Sequence, residues 1–504
     1  MNNNILFITS SFEDETKSLT VQNNSHYPIG LAYLHSYIEN CGYNVETLFL
    51  NDYQYEKCLN IIIKSIKKSS PKIIGFQMLT NNRVSSFRLI EYIHKNYPEI
   101  NIVIGGIHAS LMYEQILKKY PFLTAVLGEG ELTFAELIPK LINKDNDFES
   151  INGIAFNKNG EIVKTKTRAL IENLDILPFP KHEIFFTEDR TLGNLLTSRG
   201  CPFNCSFCCL DSISQRKVRY RSINNVIAEI EYMIQKFPEM EFLWIHDDSF
   251  FLDNQRVIEF CDEIVKRNIK LKFICSARVK PISKELIKAL EKAGFVQVLF
   301  GLESGAAEIL KSSHKSITKE DVVNAFKLFA DSSIEVTSFL IVGLPGETIE
   351  TVKETIEFIQ TLQKIKYLYY EDIGVLFIYP GTEVYQIAQK AGQINDNYWL
   401  TDNCVPFYTS EHSITKLFEY KETILNHIAL GRFDTFNGFV AQFKMIPYIL
   451  KYVRKNKGAR QFILPHFLRR QSINYLKKIV GLDRESRKKI SMIFKKKVDK
   501  RLAK

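Results

Sequence analysis

Short apolar runs and helical patterns alternate without interruption over the first 145 or so residues. The order is ILFIT (5–9), a helical pattern over 28–41, VETLFL (45–50), a second over 55–68, KIIGFQ (72–77), a third over 84–96, NIVIGG (101–106), a helix from about Ser110, TAVLG (124–128) and a helix from Glu131. A helix between two strands of one sheet forces those strands parallel, and helices on both faces make a doubly wound sheet. Pro28 suits the first helical position, where its missing N–H costs nothing. INGIAFNKNGEIVKTK (151–166) follows, two alternating runs around Asn-Gly, the pattern of a β-hairpin. After the proline-punctuated ILPFPKHEIF (176–185), alternation resumes with a longer period: LGNLLTS (192–198), FLWIHD (242–247), KFICSA (272–277), VQVLFGLE (296–303), TSFLIVGLP (337–345) and IGVLFIYP (373–380). Six such units fit a partial (β/α)6 barrel, whose chemistry belongs at the C-terminal strand ends. The expected organisation is α/β: a doubly wound parallel sheet over 1–145, a hairpin and linker over 146–190, the partial barrel over 191–395, and a mainly helical region with a basic tail over 396–504. At 504 residues the chain is too long for a single core, which agrees with several domains.

The N-terminal MNNNILFITSSFEDE lacks the basic start and apolar run of a secretory signal, and no window of eighteen apolar residues occurs, so the expected location is the cytoplasm. In that reducing compartment nine cysteines, an odd number, argue against a disulfide framework. The net charge of +9 is local: residues 451–504 hold 19 Lys and Arg against 3 Asp and Glu. Within this tail Ile490, Ile493, Phe494, Val498 and Leu502 recur at helical spacing among lysines. Such a basic amphipathic helix suits an anionic membrane surface, or is a solvated helix docked by its apolar stripe; nucleic acid fits less well, because no aromatics are interleaved for base stacking.

Four of the nine cysteines fall within SRGCPFNCSFCCL (198–210), directly after the first barrel strand. Cys201, Cys205 and Cys208 have the spacing C-x3-C-x2-C, which can wrap three thiolates around one face of an iron-sulfur cube. Three ligands for four irons leave one iron open. Structural zinc would need a fourth protein ligand in a closed tetrahedron, and Cys209, adjacent to Cys208, points badly for that. In the N-terminal sheet, ligands sit outside the carboxyl ends of the strands, where Thr80, Gly105, Gly106, His108, Gly128 and Glu129 should gather. The turn at Gly343, Pro345 and Gly346 leads into a helix whose first N–H groups suit an anion.

The cysteine loop, with Phe207 before its third cysteine, resembles the signature of the radical S-adenosylmethionine (SAM) enzymes. RYRSINNVIAEIEYMI (219–234), HDDSFFLD (246–253), FGLESG (300–305), VGLPGET (342–348) and YPGTEVY (379–385) are similar to blocks of the subset with an N-terminal, flavodoxin-like cobalamin-binding domain. YPIGLAYLHSYIENCGYNV (27–45), GGIHAS (105–110) and GEGELTF (128–134) agree with that domain. The resemblance implies a [4Fe-4S] cluster on Cys201, Cys205 and Cys208 whose open iron binds SAM. Reductive cleavage of SAM then gives methionine and a 5'-deoxyadenosyl radical that abstracts hydrogen from an unactivated position. It further implies Phe207 against adenine, Glu303 on the SAM ribose, Ser276 and Arg278 at the SAM carboxylate, and Asp247 and Asp248 as polar contacts of cofactor or substrate. Cobalamin would sit at GGIHAS; the D-x-H-x-x-G loop that supplies a histidine to cobalt is absent, a departure shared by relatives that hold cobalamin with no protein ligand to the metal. The expected activity is cobalamin-dependent methylation of an unactivated carbon, on a small-molecule or lipid substrate, with a flavodoxin or ferredoxin as electron donor. The alternatives are a radical oxidoreductase or cyclase without methyl transfer, and a non-catalytic iron-sulfur or zinc protein. A methylthiotransferase would need a second cysteine trio in the N-terminal domain, which offers only Cys41 and Cys58.

Overall fold

The computed structural model describes residues 3–12, 28–51, 53–145, 147–185, 191–366, 368 and 373–428; the basic tail and its amphipathic pattern lie outside them. Two compact units share the chain. One takes residues 1–250, 263–275 and 377–410; the other takes 251–262, 276–376 and, of the described residues, 411–428.

The first unit opens with β1 (Asn4–Thr9), α1 (Ile29–Asn40), β2 (Asn44–Phe49), α2 (Tyr55–Ser69), β3 (Ile73–Gln77), α3 (Arg83–Asn96), β4 (Asn101–Gly105), α4 (Ile107–Lys119), β5 (Thr124–Val126) and α5 (Glu131–Asn143). Ile5, Leu6, Phe7 and Ile8 are all buried, as a strand covered on both faces must be. The sheet order β2-β1-β3-β4-β5 is parallel and reverses direction between β1 and β3, the doubly wound topology the alternation implies. The hairpin, β6 (Ile154–Lys158) and β7 (Glu161–Lys164), extends that sheet by antiparallel pairing of β6 with β5, bringing it to seven strands. Its alternation signalled a hairpin but not its docking edge. Pro28 sits one residue before the expected position, as the cap of α1. Helix α4 begins at Ile107, three residues before the expected start, because Gly106 (φ +92°) turns the chain immediately after β4.

The barrel half continues with β8 (Leu192–Leu195), β9 (Ser198–Arg199), α6 (Asp211–Ser214), β10 (Arg219–Tyr220), α7 (Ile223–Lys236) and β11 (Phe242–Ile245) in the first unit. Then come α8 (Asn254–Lys266), most of which is assigned to the second unit and its end to the first, and β12 (Lys272–Ala277), which starts in the first and ends in the second. Strand β11 pairs in parallel with β8 and with β12. The second unit holds α9 (Lys284–Ala293), β13 (Phe295–Glu303), α10 (Ala307–Ser312), α11 (Lys319–Phe329), β14 (Glu335–Val342), α12 (Ile349–Ile365) and β15 (Gly374–Val375), with β14 parallel to both β13 and β15. Helix α13 (Glu383–Lys390) belongs to the first unit and α14 (Ile414–His427) to the second. The six β/α units of the sequence are thus present as parallel strands. The first is shorter than its apolar run: LGNLLTS ends as a barrel strand at Leu195, and Ser198–Arg199 turns away to pair antiparallel with Arg219–Tyr220. Among the described residues no helix is long and apolar enough to cross a membrane.

Candidate active site

The cysteine loop is held at its entry by four consecutive residues, Thr197 to Gly200. Asp247, buried at the end of β11, accepts from the Thr197 amide (2.6 Å), the Thr197 hydroxyl (2.5 Å) and the Ser198 hydroxyl (2.6 Å). Arg199 reaches Glu131 (2.7 Å) and Glu129 (3.2 Å) at the start of α5. The Gly200 amide donates to Asp248 (3.1 Å). Gly200 has φ +97°, and a Cβ there would stand 2.0 Å from the Lys217 carbonyl oxygen, so no other residue fits. Cys201, Cys205 and Cys208 follow, all half-buried and unbridged, with the Cys208 amide bonded to the Cys205 carbonyl (3.0 Å). Burial pushes the Cys208 thiol up to about 12, and Cys209, Cys205 and Cys201 beside it add to the rise. Three thiols on one loop, two of them near enough to Cys208 to act on it, suit a four-iron cube, in which each thiolate binds a different iron. Among the described residues no three His, Cys, Asp or Glu side chains converge on a point that a single ion could occupy. Phe207 is half-buried in the same loop. The loop is backed by the YPGTEVY block: the Val384 amide donates to the Ser206 carbonyl (3.0 Å) and the Ser212 hydroxyl to the Gly381 carbonyl (3.1 Å).

In the same unit a cavity of about 320 Å³ opens at the carboxyl ends of β3, β4 and β5. Seven of its lining residues are glycine, Gly105, Gly106, Gly128 and Gly200 among them, and Ser198, Arg199 and Asp248 close the side nearest the cysteine loop. Side-chain-free backbone leaves room for a broad flat ligand, and a Cβ on Gly106 would lie 2.9 Å from the Met78 carbonyl. A corrin ring fits such a wall. Glu129 lines the cavity too, yet its carboxylate is already engaged by Arg219 (2.9 Å), Arg199 and the Ile171 amide (2.9 Å). The result is a carboxyl held below its usual range by these partners against the cost of burial. Asp248 is solvent-accessible at the cavity wall, while the protein packed around it and the neighbouring Asp247 push it up to about 6. Thr80 and His108 gather as expected, Thr80 Oγ1 to His108 Nδ1 at 3.1 Å, but both are buried and neither is among the lining residues. Burial and then Arg83 push His108 down to about 3, so the ring is neutral, its edge toward Trp399 at 5.8 Å. Because α4 starts at Ile107, the histidine falls in its first turn and points inward.

In the second unit Arg278 and Glu303 are buried and Ser276 half-buried. Glu303 is paired with Lys315 (2.7 Å), and the Arg278 guanidinium donates to the Lys315 carbonyl. At the LPGET turn the chain's own acids take the anion positions: the Gly343 amide donates to Glu347 (2.5 Å) and the Gly346 amide to Glu411 (2.7 Å).

Two family descriptions match, the B12 binding domain over residues 19–138 and the radical SAM superfamily over residues 195–359. An uncharacterized methyltransferase of Pyrococcus horikoshii, PH0819, is 31% identical over 399 residues, 77% of this chain and 83% of that protein. The chain belongs to the B12-binding radical SAM enzymes. This radical SAM enzyme is also 30% identical to an anaerobic magnesium-protoporphyrin IX monomethyl ester cyclase of Rubrivivax gelatinosus, over 65% of its own length and 61% of the cyclase. Its fold is similar to that of the cobalamin-dependent S-adenosylmethionine radical enzyme OxsB, solved with aqua-cobalamin and S-adenosylmethionine bound: TM-score 0.67, 21% identity, 93% of this chain and 75% of that one. Its cofactors are therefore a [4Fe-4S] cluster, SAM and cobalamin, and it acts on a small molecule with an external electron donor. Three parts of the site escaped the sequence reading: Arg199, Arg219 and Lys315. Arg199 had a readable signal, since it precedes a glycine and a cysteine at a strand end; Arg219 and Lys315 had none, being two among 66 basic residues.

Proposed function

We propose that the enzyme methylates an unactivated carbon in a cobalamin-dependent reaction. Cys201, Cys205 and Cys208 hold the cluster, Phe207 meets adenine, Glu303 binds the SAM ribose, and Ser276 and Arg278 face the SAM carboxylate. Gly105, Gly106 and Gly128 form the wall against which the corrin lies. When bound, the cluster and SAM supply a one-electron cleavage that yields a carbon radical, and cobalamin supplies a methyl carrier. The protein's own share is positional: Asp247, Asp248 and Arg199 fix the loop, and Glu129 and Glu131 tie that loop to the cavity rim. The observation that supports this reading is the shared wall, for Ser198, Arg199 and Gly200 both line the cavity and lead directly into Cys201. A flavodoxin or ferredoxin is the proposed electron donor. The nine unbridged cysteines favour the cytoplasm, and the basic tail favours work at an anionic membrane surface, on a lipid-like substrate.

The resemblance to the cyclase favours a second reading, radical oxidation or ring closure without methyl transfer. One experiment separates the two. The anaerobically reconstituted enzyme is reduced with SAM, with and without hydroxocobalamin, and both nucleoside products are quantified. Methylation predicts S-adenosylhomocysteine whose release depends on cobalamin; 5'-deoxyadenosine alone, indifferent to cobalamin, supports the cyclase-type reading and contradicts the first.

A further inference from the structure

Lys315 is a buried lysine, its side chain 8% exposed, on the six-residue loop between α10 and α11. A buried ammonium is costly unless paired, and its partner is Glu303 Oε1 at 2.7 Å. The backbone is shaped around this contact from both sides. Strand β13 carries a register shift between Gly301 and Glu303, and Glu303 adopts φ +66°, so the carboxylate leaves the regular alternation of the strand and folds back over Gly301. A Cβ on Gly301 would lie 2.6 Å from Glu303 Oε1 and 2.7 Å from Lys315 Nζ; the pair occupies the space that a side chain would take. On the other side His314 and Ser316 both have φ +55°, a left-handed backbone that non-glycine residues adopt only when held there. The hold is double: the Lys315 amide donates to the Leu310 carbonyl (3.0 Å), and Arg278 donates to the Lys315 carbonyl. Glu303 Oε2 has no partner among the described residues. One oxygen is thus fixed and the other left for a ligand.

We propose that Lys315 is a positioning residue for SAM, acting through Glu303: it holds the carboxylate turned so that Oε2 can accept from a ribose hydroxyl, while its backbone aligns Arg278. The inference rests on the assignment of Glu303 to SAM. It implies that the lysine affects SAM affinity without touching the cluster.

The test uses reconstituted holoenzyme and SAM as the probe, read by the change that SAM induces in the electron paramagnetic resonance of the reduced cluster. Lys315→Met should raise the SAM dissociation constant by about tenfold or more, the loss of one charge-assisted hydrogen bond, with iron content and the SAM-free spectrum unchanged. Lys315→Arg should restore affinity to within about threefold, since the ion pair is kept. Gly301→Ala, which leaves both charges in place but takes their space, should behave like Lys315→Met. If Lys315→Met does not fold, the charge-free Glu303→Gln/Lys315→Met double variant should fold and still bind SAM weakly. Wild-type SAM affinity in Lys315→Met overturns the inference alone, and wild-type affinity in the double variant overturns the Glu303 assignment with it. A wild type that takes up a cluster but binds no SAM overturns the Glu303 assignment and the inference with it.

Discussion

Asp247 grips Thr197 by both its amide, at 2.6 Å, and its hydroxyl, at 2.5 Å, fifty residues away in sequence. The third bond, from the Ser198 hydroxyl, completes a clamp on the segment that leads into the cysteines. Asp247→Ala strands three buried donors and should cost about 3 kcal/mol or more. The checks are urea unfolding and the iron bound after reconstitution, both lower in the variant. Asp247→Asn, which keeps an acceptor for the Thr197 amide, should cost less.

Gly200→Ala is expected to be worse tolerated than any other single methyl in the loop. A Cβ would sit 2.0 Å from the Lys217 carbonyl, on a backbone with φ +97°. The positive φ alone costs about 1 kcal/mol, and the clash must be relieved by opening the β9–β10 pair. Loss of cluster absorbance on reconstitution, in a chain whose far-ultraviolet circular dichroism is unchanged, would be the signature.

Arg199→Met removes the ion pair to Glu131 and one of the two arginines on Glu129 at the cavity rim while leaving the cysteines in place. Hydroxocobalamin affinity, followed by visible absorption, should fall by about tenfold, the equivalent of one charged hydrogen bond. Unaltered affinity would mean that the ion pairs do not shape the cofactor wall.

Glu347 gives a pH dependence with a definite sign. Burial pushes its carboxyl up from 4.5 to about 7, against the Gly343 amide that favours the ionised form. Between those values the folded chain holds more protons than the unfolded one, so stability falls as pH rises. The contribution is fully present below about pH 4.5 and is lost as the pH passes 7, amounting to up to about 3 kcal/mol. Glu347→Gln should flatten the slope of urea-unfolding stability between pH 5 and 7; a slope that persists unchanged would assign it to other groups.

The periodicity of the chain carried the architecture because a strand covered by helices must be apolar along its length, and β1 to β5 were legible on that ground alone. What it could not carry were the long-range polar contacts. Nothing in LGNLLTS says that the barrel strand stops at Leu195; the reason is Asp247, which takes Thr197 and Ser198 out of the ladder. The carboxyl-end rule brought Gly105, Gly106, Gly128 and Glu129 to one cavity but also included Thr80 and His108, which meet each other behind its wall. A helix start three residues earlier decides which way a histidine faces, and helix starts are the least periodic part of a pattern. The C-x3-C-x2-C spacing of Cys201, Cys205 and Cys208 was plain in the sequence, and their proposed role as cluster ligands came from the family resemblance. Lys315 was not, because a buried lysine reads in sequence like a surface one until its carboxylate partner, twelve residues away across a helix, is seen.

Radical chemistry in this chain depends first on the proposed cluster ligands, Cys201, Cys205 and Cys208. Wild type and the Cys201→Ala/Cys205→Ala/Cys208→Ala triple variant should be reconstituted anaerobically, reduced, and compared by iron analysis and electron paramagnetic resonance, with and without SAM. The prediction is about four irons per chain and a reduced-cluster signal that SAM alters in the wild type, and neither in the variant. A triple variant that keeps the iron and the SAM-responsive signal, or a wild type that binds zinc in their place, would contradict it.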